Sequence, residues 1–127
     1  MMPSDAYRLI YQALRRREQL TFSYQGLPRE CCPVILGYAA DGSEVVFAYQ
    51  FSGATSSKTK LPQWRCFYVE GIGDLRSRAG YWLEGTSHTQ AQTCVCFVDV
   101  DVNLPDTLTR KRPLPFGSDA LLPPRRG

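Results

Sequence analysis

The chain has 127 residues, which is enough for one domain with a hydrophobic core. Its apolar fraction of 43% and charged fraction of 21% are ordinary for a globular protein. The net charge of +3, from 15 basic and 12 acidic residues, is too small to indicate nucleic-acid binding by itself.

The five cysteines are a poor framework for disulfides, because their number is odd, two are adjacent and two are one residue apart. Four of them lie in apolar, strand-like runs, so we expect small buried side chains of a reducing compartment. No N-terminal stretch resembles a signal peptide, and no run is long enough for a transmembrane span. The expectation is a soluble, cytoplasmic protein that does not enter a membrane.

Residues 4–18 are predicted to form a helix, because apolar residues recur at the i, i+3, i+4, i+7 spacing. These residues are Tyr7, Ile10, Tyr11 and Leu14. Ser4 or Asp5 can cap the N-terminus. Three arginines at positions 15–17 suit the other end of the helix dipole. We interpret them as a solvated helix end, with phosphate binding as the alternative.

A strand at 20–24 is predicted from clean alternation, and it leads through a turn to the central stretch, residues 28–51. Two apolar runs flank Asp41-Gly42 there, which is a strong signal for a β-hairpin. Pro33 cannot donate a ladder hydrogen bond, so its strand should have an edge or a bulge at that point. Arg29 stands at the start of this strand, before the apolar residues.

Residues 52–62 are polar and predict a loop, and residues 63–69 predict the next strand. Trp64, Cys66 and Tyr68 share one face of that strand, whereas Arg65 shares the other face with apolar residues. A buried arginine is costly unless it is paired, or unless its head reaches a ligand or water at a rim. A short strand is predicted at 72–78.

A further strand is predicted at 93–102, with an apolar face and with Asp99 and Asp101 on the opposite face. We interpret that face as solvated or paired with arginines, and half of a magnesium site is the alternative. This strand lies outside the preceding five, and an uncovered strand promotes association. We therefore expect a homodimer. Residues 103–127 are rich in Pro and Arg and form an extension that cannot build its own core.

The predicted fold is mainly β with one N-terminal helix: a small SH3-like or Sm-like β-barrel over residues 20–78, plus an additional C-terminal strand. Residues 1–102 form the single domain of this prediction. One helix followed by five strands is the plan of such barrels.

The same residues resemble the WYL domain family over about residues 5–78. The resemblance rests on the order and spacing of several short pieces: Ala13-Leu14 in the helix, the strand ending at Tyr24, Arg29 and Pro33 as the R-x-x-x-P motif, the Asp41-Gly42 turn, and Trp64 to Ile72 as the R-x-F motif with its flanks. Val45, Val46 and Phe47 stand in place of the signature Trp-Tyr-Leu triplet, and Gly71 stands in place of the second arginine.

The resemblance implies a ligand-sensing or nucleic-acid-binding module that is commonly attached to a winged-helix DNA-binding domain in bacterial transcriptional regulators. We see no room for such a domain before Asp5, so we expect a stand-alone relative or a fragment, with a DNA-binding protein as a possible partner.

Catalytic and metal-binding patterns are weak. His88 is the only histidine and has loop-like neighbours, so a Ser–His or Cys–His pair lacks support. Adjacent cysteines and Cys-x-Cys in strands do not match the spacing of zinc sites. No phosphate-loop or dinucleotide motif occurs. We expect no enzyme activity, no metal and no cofactor.

The predicted ligand site combines arginines for phosphate with aromatic rings for stacking on bases, as small barrels do when they bind nucleotides or single strands. Its members are Tyr24, Arg29, Tyr49, Trp64, Arg65 and Tyr68. In the alternative interpretation the rings are core and the arginines pair with Glu30, Glu44 or Glu70. The expected function is a non-enzymatic regulatory module that binds a nucleotide or single-stranded nucleic acid. The alternative is a protein-interaction or oligomerisation domain with no small ligand.

Overall fold

The structure, a computed structural model, describes residues 3–54, 63–81 and 94–102. These residues are mainly β with one N-terminal helix, as the sequence predicts. The elements are α1 (Asp5–Arg16), β1 (Gln19–Tyr24), β2 (Leu27–Tyr38), β3 (Glu44–Gly53), β4 (Gln63–Tyr68), a 3-10 turn (Val69–Gly71), β5 (Ile72–Arg78) and β6 (Phe97–Asp101).

Helix α1 begins and ends as its local sequence dictates. The Ser4 hydroxyl accepts a hydrogen bond from the Tyr7 backbone N–H at 3.1 Å, which is an N-cap interaction. Arg17, with φ of 53°, ends the helix in the left-handed conformation. The predicted apolar stripe is buried, and α1 packs with it against β1, β2 and β5.

The six strands form one antiparallel sheet in the order β4-β3-β2-β1-β5, and β6 pairs with β2 beside this path. Within the described residues the sheet is open, with β4 and β5 at its two ends. The predicted closed barrel is therefore not observed. The β1–β2 and β2–β3 pairs are hairpins, whereas β4 and β5, which are joined by the 3-10 turn, lie at opposite ends of the sheet.

Strand β2 is long enough to pair with two strands, β1 and β6, along one edge. Its first half pairs with β1 as far as Cys31, and its second half pairs with β6 from Ile35 onward. Pro33 lies between these halves, next to a register shift in the β2–β3 pairing. The predicted bulge is confirmed, because the residue without an N–H lies where the ladder changes partner.

Strand β6 is paired within the chain, and the prediction for its two faces is wrong. The β2–β6 register shifts between Leu36 and Gly37, so Asp99 is the extra residue of a bulge. The bulge turns Asp99 inward, where its carboxylate accepts a hydrogen bond of 2.7 Å from the Tyr7 hydroxyl, and it leaves Val98 40% exposed. The pairing of β6 removes the uncovered strand on which the homodimer prediction was based. The oligomeric state stays a prediction.

Cys66 and Cys94 form a disulfide across 28 residues of chain, with a Cα–Cα distance of 6.4 Å. The expectation that all cysteines are reduced is therefore wrong. Their spacing could not reveal this pair, because β4 and the segment before β6 meet only in the folded sheet. Cys31 and Cys32 are buried thiols, as predicted, whereas Cys96 is exposed.

The core lies between α1 and the sheet and continues under the face of β1–β4 that carries Phe22 and Phe67, whose rings meet edge to face at 5.0 Å. In the part of the chain that the structure describes, no helix is long and apolar enough to cross a membrane. Most of the predicted loop at 52–62, His88 and the predicted extension at 103–127 lie outside the described residues.

Candidate functional site

Arg29 is a charged residue in the interior of the protein, with 1% of its surface exposed. A two-residue turn, Gln25-Gly26, joins β1 to β2, and both residues have positive φ (55° and 75°). This tight hairpin places Arg29 opposite Phe22 of β1, while β3 pairs with the other edge of β2. Arg29 is thus held in the interior of the sheet rather than at a loose end.

The guanidinium of Arg29 has only neutral partners among the described residues. Its Nη1 donates to the Gln50 Oε1 at 3.3 Å, and its Nη2 donates to the Tyr24 carbonyl oxygen at 3.2 Å. Its Nε is buried and has no hydrogen-bond partner within residues 3–54, 63–81 and 94–102. The ring centroids of Tyr24 and Phe67 each lie 5.6 Å from its Cζ.

Arg65, on β4, also lies beside the Phe67 ring. It is half-buried, and its Cζ lies 6.0 Å from the Phe67 centroid. Burial, and secondarily the nearby charge of Arg65, lower the pKa of Arg29 below its usual value. Two cations therefore share one environment.

Two of the carboxylates expected to pair with the arginines are engaged elsewhere. Glu30 forms an ion pair of 2.5 Å with Arg78 at the sheet surface. Glu44 accepts hydrogen bonds from the Ser4 backbone N–H at 2.9 Å and hydroxyl at 2.5 Å. Within the described residues, no carboxylate oxygen lies within 4.0 Å of the Arg29 guanidinium. Arg29 is therefore a buried charge without a counter-ion there, which is costly.

Gln50 is part of this site, and sequence reasoning missed it. Its side chain is fully buried in β3, and besides accepting from Arg29 it donates to the Ser52 and Ala54 carbonyl oxygens at 3.1 and 2.9 Å. Gln50 follows Val46 and Ala48 at the inward-facing, every-second position of the strand. A polar residue at an inward-facing position of an apolar strand is the sequence pattern that could have identified Gln50.

The six predicted site residues do not form one cluster. Tyr24 and the two arginines surround Phe67, whereas Trp64 and Tyr68 alternate with Arg65 and therefore lie on the other face of β4. Tyr49 is the direct cross-strand neighbour of Trp64, with ring centroids 5.0 Å apart.

On that outer face Trp64 also stacks on Phe47 at 5.1 Å and 9°. Tyr68 is 46% exposed. The outer-face rings, which we call the outer ladder, are separate from the arginines, and Phe47, Tyr49 and Trp64 among them pack together.

Tyr24 connects the site to the 3-10 turn. Its hydroxyl accepts a hydrogen bond of 3.1 Å from the Tyr68 backbone N–H. A Cβ added at Gly71 would meet the Tyr24 Cε1 at 2.9 Å. The absence of a side chain at position 71 thus lets the Tyr24 ring lie against the 3-10 turn.

The described residues offer little for metal or nucleophile chemistry. Residues 3–54, 63–81 and 94–102 contain no group of three or more His, Cys, Asp or Glu side chains that could hold a metal ion. Burial raises the pKa of the Cys31 thiol well above its usual range, so this thiol stays protonated.

The chemistry that the cluster can perform is recognition of an anion. Arginine offers planar, paired N–H donors that match phosphate and carboxylate oxygens, and hydrogen bonds of this charged kind strengthen in a buried site. We name Arg29, Arg65, Tyr24, Phe67 and Gln50 the arginine cluster. In comparisons with protein-family models, curated proteins and solved structures, nothing matches this chain. The resemblance to the WYL domain family therefore stays a prediction.

Proposed function

We propose that this chain is a non-enzymatic, ligand-sensing module whose arginine cluster binds the phosphate groups of a nucleotide or of single-stranded nucleic acid. The observation that carries the proposal is the buried Arg29, which has neutral hydrogen-bond partners, an Nε without a partner and no carboxylate among the described residues. An anion that reached Arg29 would offset the cost of its buried charge.

The aromatic members support a nucleotide over a simple anion. Tyr24 is half-buried and its ring lies beside the guanidinium of Arg29, and tyrosine rings are the kind of side chain on which bases stack. Arg65, also half-buried, supplies the more accessible of the two charges. The outer ladder of Tyr49, Trp64 and Tyr68 is the second candidate for base contacts, since a strand that continues past the β4 edge could reach it.

The proposed kinship is with SH3-like and Sm-like folds and with the WYL domain family. It is supported by the helix and five strands in the expected order, with β5 beside β1 and a single 3-10 turn between β4 and β5. By this kinship the module would regulate a DNA-binding partner protein in a bacterium. A cytoplasmic location is part of the proposal, although the Cys66–Cys94 disulfide removes the argument from reduced cysteines.

A protein-interaction or oligomerisation domain is the second candidate. The feature that favours it is the exposed apolar surface of Tyr68 and Val98, since each is at least 40% exposed. In this alternative the chain binds no small ligand and forms the homodimer expected from the sequence.

A binding titration with a fluorescent single-stranded oligonucleotide tests the proposal. Two phosphates held by two arginines give a slope of about −1.4 for log affinity against log salt, so affinity should fall about sevenfold between 50 and 200 mM salt. Arg65→Met should weaken binding and reduce the slope by about 0.7. Arg76→Met, which removes an exposed arginine of β5, is the matched control and should change little.

Two results would reject the nucleic-acid proposal. One is the absence of binding at low salt. The other is an equal loss of affinity in Arg76→Met and Arg65→Met, because it would assign binding to overall charge rather than to the cluster. Either result would favour the interaction domain.

A further inference from the structure

Gln50 occupies the place where a carboxylate would be expected. A buried arginine is ordinarily paired with Asp or Glu, and such a pair leaves neither charge for a ligand. In this chain the group that accepts from the Arg29 Nη1 is the amide oxygen of Gln50, at 3.3 Å. Glu and Gln have nearly the same shape, so the neutral amide determines how much positive charge remains.

The Gln50 amide is held in this orientation from its other end. Its Nε2 donates to the Ser52 and Ala54 carbonyl oxygens at 3.1 and 2.9 Å. The Ala54 backbone N–H in turn donates to the Pro28 carbonyl oxygen at 2.7 Å, next to Arg29 in the chain. A glutamate could not donate these two bonds, so the surroundings select an amide whose oxygen faces Arg29.

The cross-strand neighbour of Gln50 is also an uncharged amide. Gln63 lies directly across from it on β4, two residues from Arg65. The inner face around the two arginines thus carries amides at adjacent positions of β3 and β4, where one carboxylate would cancel a charge.

We infer that Gln50 is a positioning residue that sets ligand specificity: it holds Arg29 in place with a neutral oxygen and so keeps the net positive charge that selects an anionic ligand. This inference rests on the proposed function and adds to it the residue that controls the charge of the site. A glutamate at position 50 would act as an internal anion and close the site to phosphate.

The test compares Gln50→Glu with Gln50→Met by calorimetric titration of pyrophosphate into the full chain. Both variants lose the donors to Ser52 and Ala54, so their difference isolates the charge beside Arg29. Gln50→Met should weaken pyrophosphate binding about threefold, because Arg29 loses one orienting hydrogen bond. Gln50→Glu should weaken it roughly 30-fold or more, because a unit charge now competes with the ligand at close range.

The same two substitutions in the Arg29→Met background are the control. If Gln50 had only a structural role, their difference would not depend on Arg29. Because Arg29→Met abolishes pyrophosphate binding, the readout in this background is the free energy of unfolding in urea. If the glutamate pairs with Arg29, the stability difference between the Glu and Met variants should change when Arg29 is removed. Equal affinities of Gln50→Glu and Gln50→Met in the wild-type background would overturn the inference, and so would a stability difference that is the same in both backgrounds.

Failure of the inference and failure of the proposed function are distinguishable. If the wild-type chain does not bind pyrophosphate at all, the proposed function fails and the inference fails with it. If the wild type binds but the two variants agree, only the role of Gln50 is rejected.

The folding of both variants is measured first. The second carboxylate oxygen of Gln50→Glu would face the Ser52 and Ala54 carbonyl oxygens, so this variant is the more destabilised of the two. If either variant does not fold, Gln63→Glu replaces the comparison, since position 63 is half-buried. It should weaken pyrophosphate binding about threefold or more at low salt, and an unchanged affinity would overturn the inference.

Discussion

Replacement of Arg29 by methionine should leave the stability of the protein nearly unchanged while it abolishes anion binding. The variant loses two long hydrogen bonds and two ring contacts, together worth about 2–5 kcal/mol. It also removes a buried charge without a counter-ion, whose cost is of the same several kcal/mol. The opposing contributions leave a net change in the free energy of unfolding smaller than about 2 kcal/mol. Replacement of an arginine that belonged to a buried ion pair would instead lower the free energy of unfolding by about 3–5 kcal/mol.

Urea unfolding, followed by tryptophan fluorescence, measures this difference. Leu20→Ala, at a fully buried position of β1, is the control for ordinary core damage and should cost about 2–5 kcal/mol. Pyrophosphate titrations on the same samples report binding. If Arg29→Met is as destabilising as Leu20→Ala and the folded variant still binds pyrophosphate, Arg29 is a structural residue and the site is rejected.

Three further predictions concern the frame around the site. Reduction of the Cys66–Cys94 disulfide, or its replacement by serines, should lower the free energy of unfolding by about 3–4 kcal/mol for a loop of 28 residues, and equal guanidinium midpoints with and without dithiothreitol would contradict this. Gly37→Ala should loosen β6, because the added Cβ would lie 2.1 Å from a β6 carbonyl oxygen; hydrogen exchange should show lost protection in β6, and unchanged protection would argue against the docking described. Burial and the Asp99 carboxylate raise the pKa of Tyr7, so above about pH 10 only the unfolded chain ionises there and stability should fall by about 1.4 kcal/mol per pH unit. The raised pKa of Cys31 adds a similar slope from about pH 8.5, and Tyr7→Phe should remove only the upper part of the loss; an unchanged alkaline slope in that variant would contradict the assignment.

Much of the fold could be predicted because its signals are local. The apolar stripe of α1, the Asp41-Gly42 turn and the exclusion of Pro33 from a regular ladder each depend on a few neighbouring residues. The convergence of Arg29 and Arg65 was also predictable, since both occupy inward positions of strands whose apolar neighbours are buried.

The features that the sequence did not reveal depend on distant pairing. Strict alternation predicts Asp99 on the outer face, and one bulge against β2 reverses its direction. Cys66 and Cys94 meet only once β6 lies beside β2. The separation of Trp64 from the arginines, in contrast, follows from alternation along β4 alone, which places Trp64 and Arg65 on opposite faces.

The most direct test of the anion site is the NMR signal of the Arg29 Nε–H, assigned by its loss in Arg29→Met, during a titration with pyrophosphate. The Nε is buried and has no partner among the described residues, so a bound phosphate oxygen would be its first acceptor. We expect a saturable downfield shift of this resonance, with a weaker response in Arg65→Met. A resonance that does not move at saturating pyrophosphate would contradict the assignment of the arginine cluster as a phosphate site.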